Sequence, residues 1–185
     1  MKTIKLLSLL ALSGVLFTAC SDDDDGTPEE VNEEETITTM TVTLVPQGGG
    51  DTITLQSQDL DGDGPNAPTV TVSGNLAGNT TYDGTIVLLN ETETPAEDIT
   101  EEVAEEDDEH QFFFGVSGSI NAVTYGDFDG DGNPLGITFD LETSTAGAAS
   151  LTITLRHEPK KPNDGTLADA GGETDIAQTF SLTVQ

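Results

Sequence analysis

Two acidic loops of the same form carry the most chemically suggestive spacing in this 185-residue chain: Asp59-Leu60-Asp61-Gly62-Asp63-Gly64 and Asp127-Phe128-Asp129-Gly130-Asp131-Gly132. Acids at alternate positions of a tight loop, with glycine at the sixth, form the first half of a calcium loop. Calcium takes several hard oxygens, and the glycine permits the sharp bend. The twelfth position, which holds a bidentate Glu in an EF-hand, is Val70 counted from Asp59 and Thr138 counted from Asp127. Asp-Gly steps also make ordinary turns, because both residues tolerate positive φ. Asp59, Asp61, Asp63, Asp127, Asp129 and Asp131 are therefore candidates for weak Ca2+ sites of extracellular affinity, about 10⁻⁴–10⁻³ M. Plain acidic turns are the alternative.

The two histidines are a second candidate set. His110 follows Glu109 at the end of an acidic run, and His157 lies between Arg156 and Glu158. Imidazole with carboxylate suits Zn2+ or Cu, so if the two rings converge, Glu109 and Glu158 are the natural further ligands. Solvated side chains at unrelated strand ends are the alternative. Arg156, Lys160 and Lys161 concentrate positive charge in one place, as a local neutraliser of an acidic surface or as a dock for an anion. Parts for catalysis are missing: no serine stands beside a histidine, no glycine-rich phosphate loop opens a helix, and no carboxylate pair is singled out. The expectation is a protein that is not an enzyme.

The elements that must position these residues alternate with period two. Thr39–Val45, Thr52–Leu55, Thr69–Val72 and Gly84–Leu89 read as strands in the first half. Phe112–Val116, Ala122–Tyr125, Gly136–Leu141, Ser150–Leu155 and Gln178–Val184 do so in the second. The acidic loops lie 68 residues apart, and Asn90 and His157, like Gln111 and Gln178, are 67 apart. Such self-similarity points to a tandem duplication: a first β repeat over 36–109 and a second over 110–185. The fold expected is all-β, an antiparallel β-sandwich of about nine strands. One short acidic helix is added, because Thr94-Pro95-Ala96-Glu97 reads as a capping box and Ile99 and Val103 share a face. Acids four apart along it repel, by about 0.2–0.5 kcal/mol a pair, so it should be short and frayed near Asp107.

Residues 1–19 read as a lipoprotein signal peptide. Lys2 and Lys5 precede an apolar run of 12 residues, Leu6 to Phe17, too short for the roughly 20 that span a bilayer. Leu16-Phe17-Thr18-Ala19-Cys20 resembles a lipobox, which implies lipidation of Cys20, the single cysteine. Residues 20–35 read as an acidic disordered tether. Its Ser21-Asp22-Asp23-Asp24-Asp25-Gly26 resembles the export tag of Bacteroidota surface lipoproteins, implying an outer-membrane lipid anchor facing the cell surface; a periplasmic face is the alternative. From Cys20 on there are 3 basic against 35 acidic residues, a formal charge of −32, which excludes nucleic acid as a partner.

His110-Gln111-Phe112-Phe113-Phe114 after the Glu-rich helix, then Arg156-His157-Glu158-Pro159 and Gly171-Gly172-Glu173-Thr174-Asp175, resembles a group of small flavobacterial lipoproteins encoded beside TonB-dependent receptors. The resemblance implies a TonB-dependent receptor as partner and no particular active site. Some of the group carry a type 1 periplasmic binding label, but that fold needs repeated βαβ units. Two functions follow as expectations. One is a surface-exposed, lipid-anchored, non-enzymatic binding or accessory lipoprotein that captures a cation or small ligand. The other is an adhesion or carbohydrate-binding module with structural calcium in its acidic loops.

Overall fold

Strand pairing begins a few residues after Glu35, the first of the described residues, which run over 35–62 and 64–185 of this computed structural model. Cys20, the signal-like segment, the acidic run after it and Asp63 lie outside the described residues. The elements run β1 (Thr39–Pro46), β2 (Ile53–Gln58), β3 (Thr69–Val72), β4 (Thr81–Asn90), β5 (Glu97–Asp98), α1 (Ile99–Glu105), β6 (His110–Gly118), β7 (Ile120–Tyr125), β8 (Thr138–Thr143), β9 (Gly147–His157), α2 (Leu167–Ala170) and β10 (Glu173–Val184).

The strands form two antiparallel sheets, one ordered β3-β2-β1-β4-β8-β7 with β5 beside β4, the other β10-β9-β6. This is the expected all-β sandwich, and each of the nine foreseen strands is present. The tenth is the two-residue β5. Alternation puts one face of each strand in the core: in β4, Tyr82, Gly84, Ile86, Leu88 and Asn90 are buried, and the residues between them are more exposed. Met40, Val42, Leu55, Ile86 and Leu141 of the larger sheet join one core with Phe112, Leu151, Ile153, Phe180 and Leu182 of the smaller. Gly84 is there for space, since a side chain would collide with the Phe139 ring on the neighbouring strand.

The two halves pair their strands alike up to a point. β2 pairs β3 as β7 pairs β8, and β1 pairs β4 as β6 pairs β9. β1 also pairs β2, whereas β6 and β7 belong to different sheets. The second half thus spreads over both layers, and β8 joins it to β4 of the first.

The helix begins later than the capping box suggested. Glu97 and Asp98 pair with β4, and Asp98 is the N-cap, its side chain accepting from the Thr100 backbone N–H. Sheet pairing at Glu97 outcompetes a cap at Thr94. Ile99 and Val103 are buried as foreseen, each contributing roughly 1.5–3 kcal/mol of apolar burial. That offsets the repulsion between the acids, and the helix ends at Glu105. A second helix, α2, is a single turn capped by Thr166. No described helix is long and apolar enough to cross a membrane.

Candidate metal centre

The two histidines meet. His110 opens β6 and His157 closes β9, and antiparallel register sets them directly opposite each other. Each lies two residues from a core position, Phe112 and Leu155, so both rings point inward at the end of the smaller sheet. Their ring centroids are 4.6 Å apart. Exposure is 0% for His110 and 4% for His157.

Two carboxylates complete the group. Glu35, just ahead of β1, places Oε1 2.8 Å from His110 Nε2 and Oε2 3.7 Å from His157 Nδ1. Asp175 lies in β10, where the pairing with β9 slips between Thr174 and Ile176. Such a bulge re-aims a side chain, and Asp175 Oδ1 lies 3.9 Å from His157 Nδ1. Gly172 allows the close approach at the start of β10: its φ is +70°, and a side chain there would strike the His157 carbonyl. Arg156 pins the same turn by donating to the Gly172 carbonyl and to Thr174 Oγ1.

The rings' far nitrogens face different neighbours. His110 Nδ1 lies 3.2 Å from the Glu106 carbonyl, and His157 Nε2 lies 3.8 Å from Glu109 Oε2. The latter is longer than a hydrogen bond, and neither nitrogen of the buried His157 ring has a hydrogen-bond partner. Burial alone would raise the Glu35 pKa, but the hydrogen bond to His110, Glu35's own backbone and the nearby imidazoles hold it below the usual carboxylate range. Burial likewise works against charge on His110, yet Glu35, the Glu106 carbonyl and Asp175 together raise its pKa. Outside, a groove of about 540 Å³ is lined by Glu35, Asp175, Asp59, Ile37, Ser57 and Gln178 among others. The carboxylates of the cluster thus form part of the groove's wall.

The acidic loops are built differently. In the second loop, Asp127 accepts from the Gly136 and Thr138 backbone N–H groups at 2.6 and 3.0 Å. Asp129, only 7% exposed, accepts from the N–H groups of Asp131 and Asn133 and from the Asn133 side chain. Lys161 Nζ lies 3.3 Å from Asp129 Oδ2 and 2.5 Å from the Asp107 carbonyl. Its ammonium brings positive charge directly against the buried Asp129 carboxylate. Asp127, Asp129 and Asp131 do not bring their oxygens to one point, whereas Glu35, His110, His157 and Asp175 do. In the first loop, Asp61 accepts from the Asn66 side chain at 2.7 Å, Asp59 accepts from the Asp61 N–H, and Asp63 lies outside the described residues.

Of the residues proposed beside the histidines, the exposed Glu109 and Glu158 form a separate trio with the buried His157. The inner positions belong to Glu35 and Asp175, which sequence reasoning missed. Glu35 had been placed in the tether as one acid in a run. Asp175 stands where the β10 pairing slips, so alternation along the strand did not show which way it faces. Comparison with protein-family models, with curated proteins and with solved structures finds no match, so the case for this centre rests on its own residues.

Proposed function

We propose that this protein is a non-enzymatic binding lipoprotein, anchored through Cys20 to the outer membrane and exposed at the cell surface, that captures a cation for a neighbouring TonB-dependent receptor. One observation carries the reading: two histidines and two carboxylates are buried together at the wall of an open groove. The ring nitrogens face carboxylates and a carbonyl, surroundings that welcome positive charge. The strongly acidic surface draws cations toward it. Calcium in the acidic loops is the less favoured reading, because the second loop already holds the Lys161 ammonium against Asp129.

The test is element analysis of the mature chain purified without chelator, with equilibrium dialysis against a panel of metal cations. Retention of a cation is expected, together with no turnover on glycan or peptide substrates. Retention of none, or turnover on a substrate, would end the proposal. Loss of the protein from intact cells on protease treatment tests its exposure.

A further inference from the structure

We infer that the captured ion is a divalent transition metal of the zinc class, held by Glu35, His110 Nε2, His157 Nδ1 and Asp175, and that it fastens the segment beginning at Glu35 to the ends of β6, β9 and β10. The inference rests on the cation-capture reading and names the ion class and its ligands.

Spacing comes first. Zinc–nitrogen and zinc–oxygen bonds of about 2.0–2.2 Å put the corners of a tetrahedron roughly 3.3–3.5 Å apart. Here Glu35 lies 2.8 Å from His110 Nε2 through Oε1 and 3.7 Å from His157 Nδ1 through Oε2, and Asp175 Oδ1 lies 3.9 Å from His157 Nδ1. All four fall within 4.8 Å of one another. Side-chain shifts of up to about 0.7 Å each would bring donors no more than 4.8 Å apart to that spacing around an ion.

The buried ring is the second, independent observation. An imidazole that is 96% buried with neither nitrogen hydrogen-bonded is costly. An ion on Nδ1 removes that cost, and two carboxylates balance its charge. Ligating histidines commonly direct the other ring N–H to a carbonyl or carboxylate, fixing the tautomer. His110 has the Glu106 carbonyl in that place, and His157 has Glu109. A neutral ring has one lone pair, so His157 cannot serve both the buried group and the trio with the exposed Glu109 and Glu158. The buried side offers a second imidazole and two shielded carboxylates, and it prevails.

Ligand type sets the ion class. Imidazole nitrogen suits zinc, copper and nickel, whereas calcium takes 6–8 oxygens. Three of the donors stand on the ends of β6, β9 and β10. The fourth, Glu35, belongs to the segment leading into β1. Downstream, Thr38 is already fixed by its N–H to the Leu89 carbonyl and its carbonyl to the Asp59 N–H. The ion would therefore extend that fixation to Thr36 and Ile37.

Cobalt and zinc titration of the chelator-stripped mature chain tests this. One equivalent of Co2+ should give the intense visible bands of a four-coordinate site, abolished by Zn2+ and insensitive to excess Ca2+. H110A and H157A should each weaken zinc by at least about 100-fold, and E109Q by about 10-fold, the lower end of the effect of outer partners. D59N should change nothing. Zinc should also slow amide exchange at Thr36 and Ile37 in the parent protein but not in E35Q, whose altered residue precedes the first strand and leaves the fold in place. If no cation binds, both the inference and the capture reading fail. If a cation binds but H110A, H157A and E35Q leave it untouched, or E158Q alone abolishes it, the inference fails and capture stands.

Discussion

The second acidic loop and the histidine cluster both bury carboxylates, and they treat them in opposite ways. In the loop, Asp127 and Asp129 are occupied by six backbone or side-chain N–H contacts and by Lys161. In the cluster, Glu35 Oε2 and both His157 nitrogens have no hydrogen-bond partner. The density of acids is therefore a poor guide to a ligand site. What separates the two regions is whether the buried polar atoms are satisfied from within the chain. The loop is a finished structural device, and the cluster leaves Glu35 Oε2 and the His157 ring without a hydrogen bond.

The largest expected effect lies in the loop. Lys161 and Asp129 form an ion pair with side chains 7% and 1% exposed, and removing one partner of such a pair costs about 3–5 kcal/mol. D129A should lower stability by that amount in urea unfolding. The double variant D129N/K161M should recover much of it, because no unpaired charge remains. The pair also sets an acid limit. Burial pushes the Asp129 carboxyl up, but Asn133 and Lys161 outweigh it and hold it below its ordinary 3.8. A depressed carboxylate stabilises above its unfolded pKa, and that stability disappears as pH falls through the folded value. Parent protein should therefore lose stability below about pH 4 more steeply than D129N/K161M. Equal acid limbs would show that the loop does not depend on this pair.

Next in size is the response of the cluster to an ion. Zinc at 100 times its dissociation constant should stabilise the parent by about 2.7 kcal/mol, read as a rise in Tm that H157A abolishes. Calcium at the same excess should leave Tm unchanged. A calcium response that survives H157A but is lost in D61N would reverse the comparison, moving the ligand site to the first loop.

How much of this was legible in the sequence follows from the range of the forces involved. Strands were legible because alternation is local: Thr39–Val45 and Ser150–Leu155 show their inner faces without reference to anything else. The start of α1 was misread because Thr94-Pro95-Ala96-Glu97 satisfies a local rule, while the pairing of Glu97 with Asn90 is a tertiary event. The histidines were legible as candidates by rarity, and the register of β6 and β9 brings them together. Glu35 and Asp175 were not, for different reasons. Nothing local distinguishes Glu35 from the acids before it, and a bulge displaced Asp175 from the alternation that would have exposed its facing.

The smallest effect tests whether excess negative charge reaches beyond the cluster. Glu102, exposed on α1, has a raised pKa, through partial desolvation and then through repulsion by Glu35, Glu106 and Glu97. A raised carboxyl is destabilising in its charged form, so E102Q should stabilise the metal-free protein near neutral pH. The gain should be a few tenths of a kcal/mol, the scale of one like-charge helical pair. An ion bound to Glu35 would cancel part of that repulsion, so the gain should shrink when zinc is present. A gain unchanged by zinc would mean that Glu102 responds only to its own helix and is electrically separate from the centre beneath it.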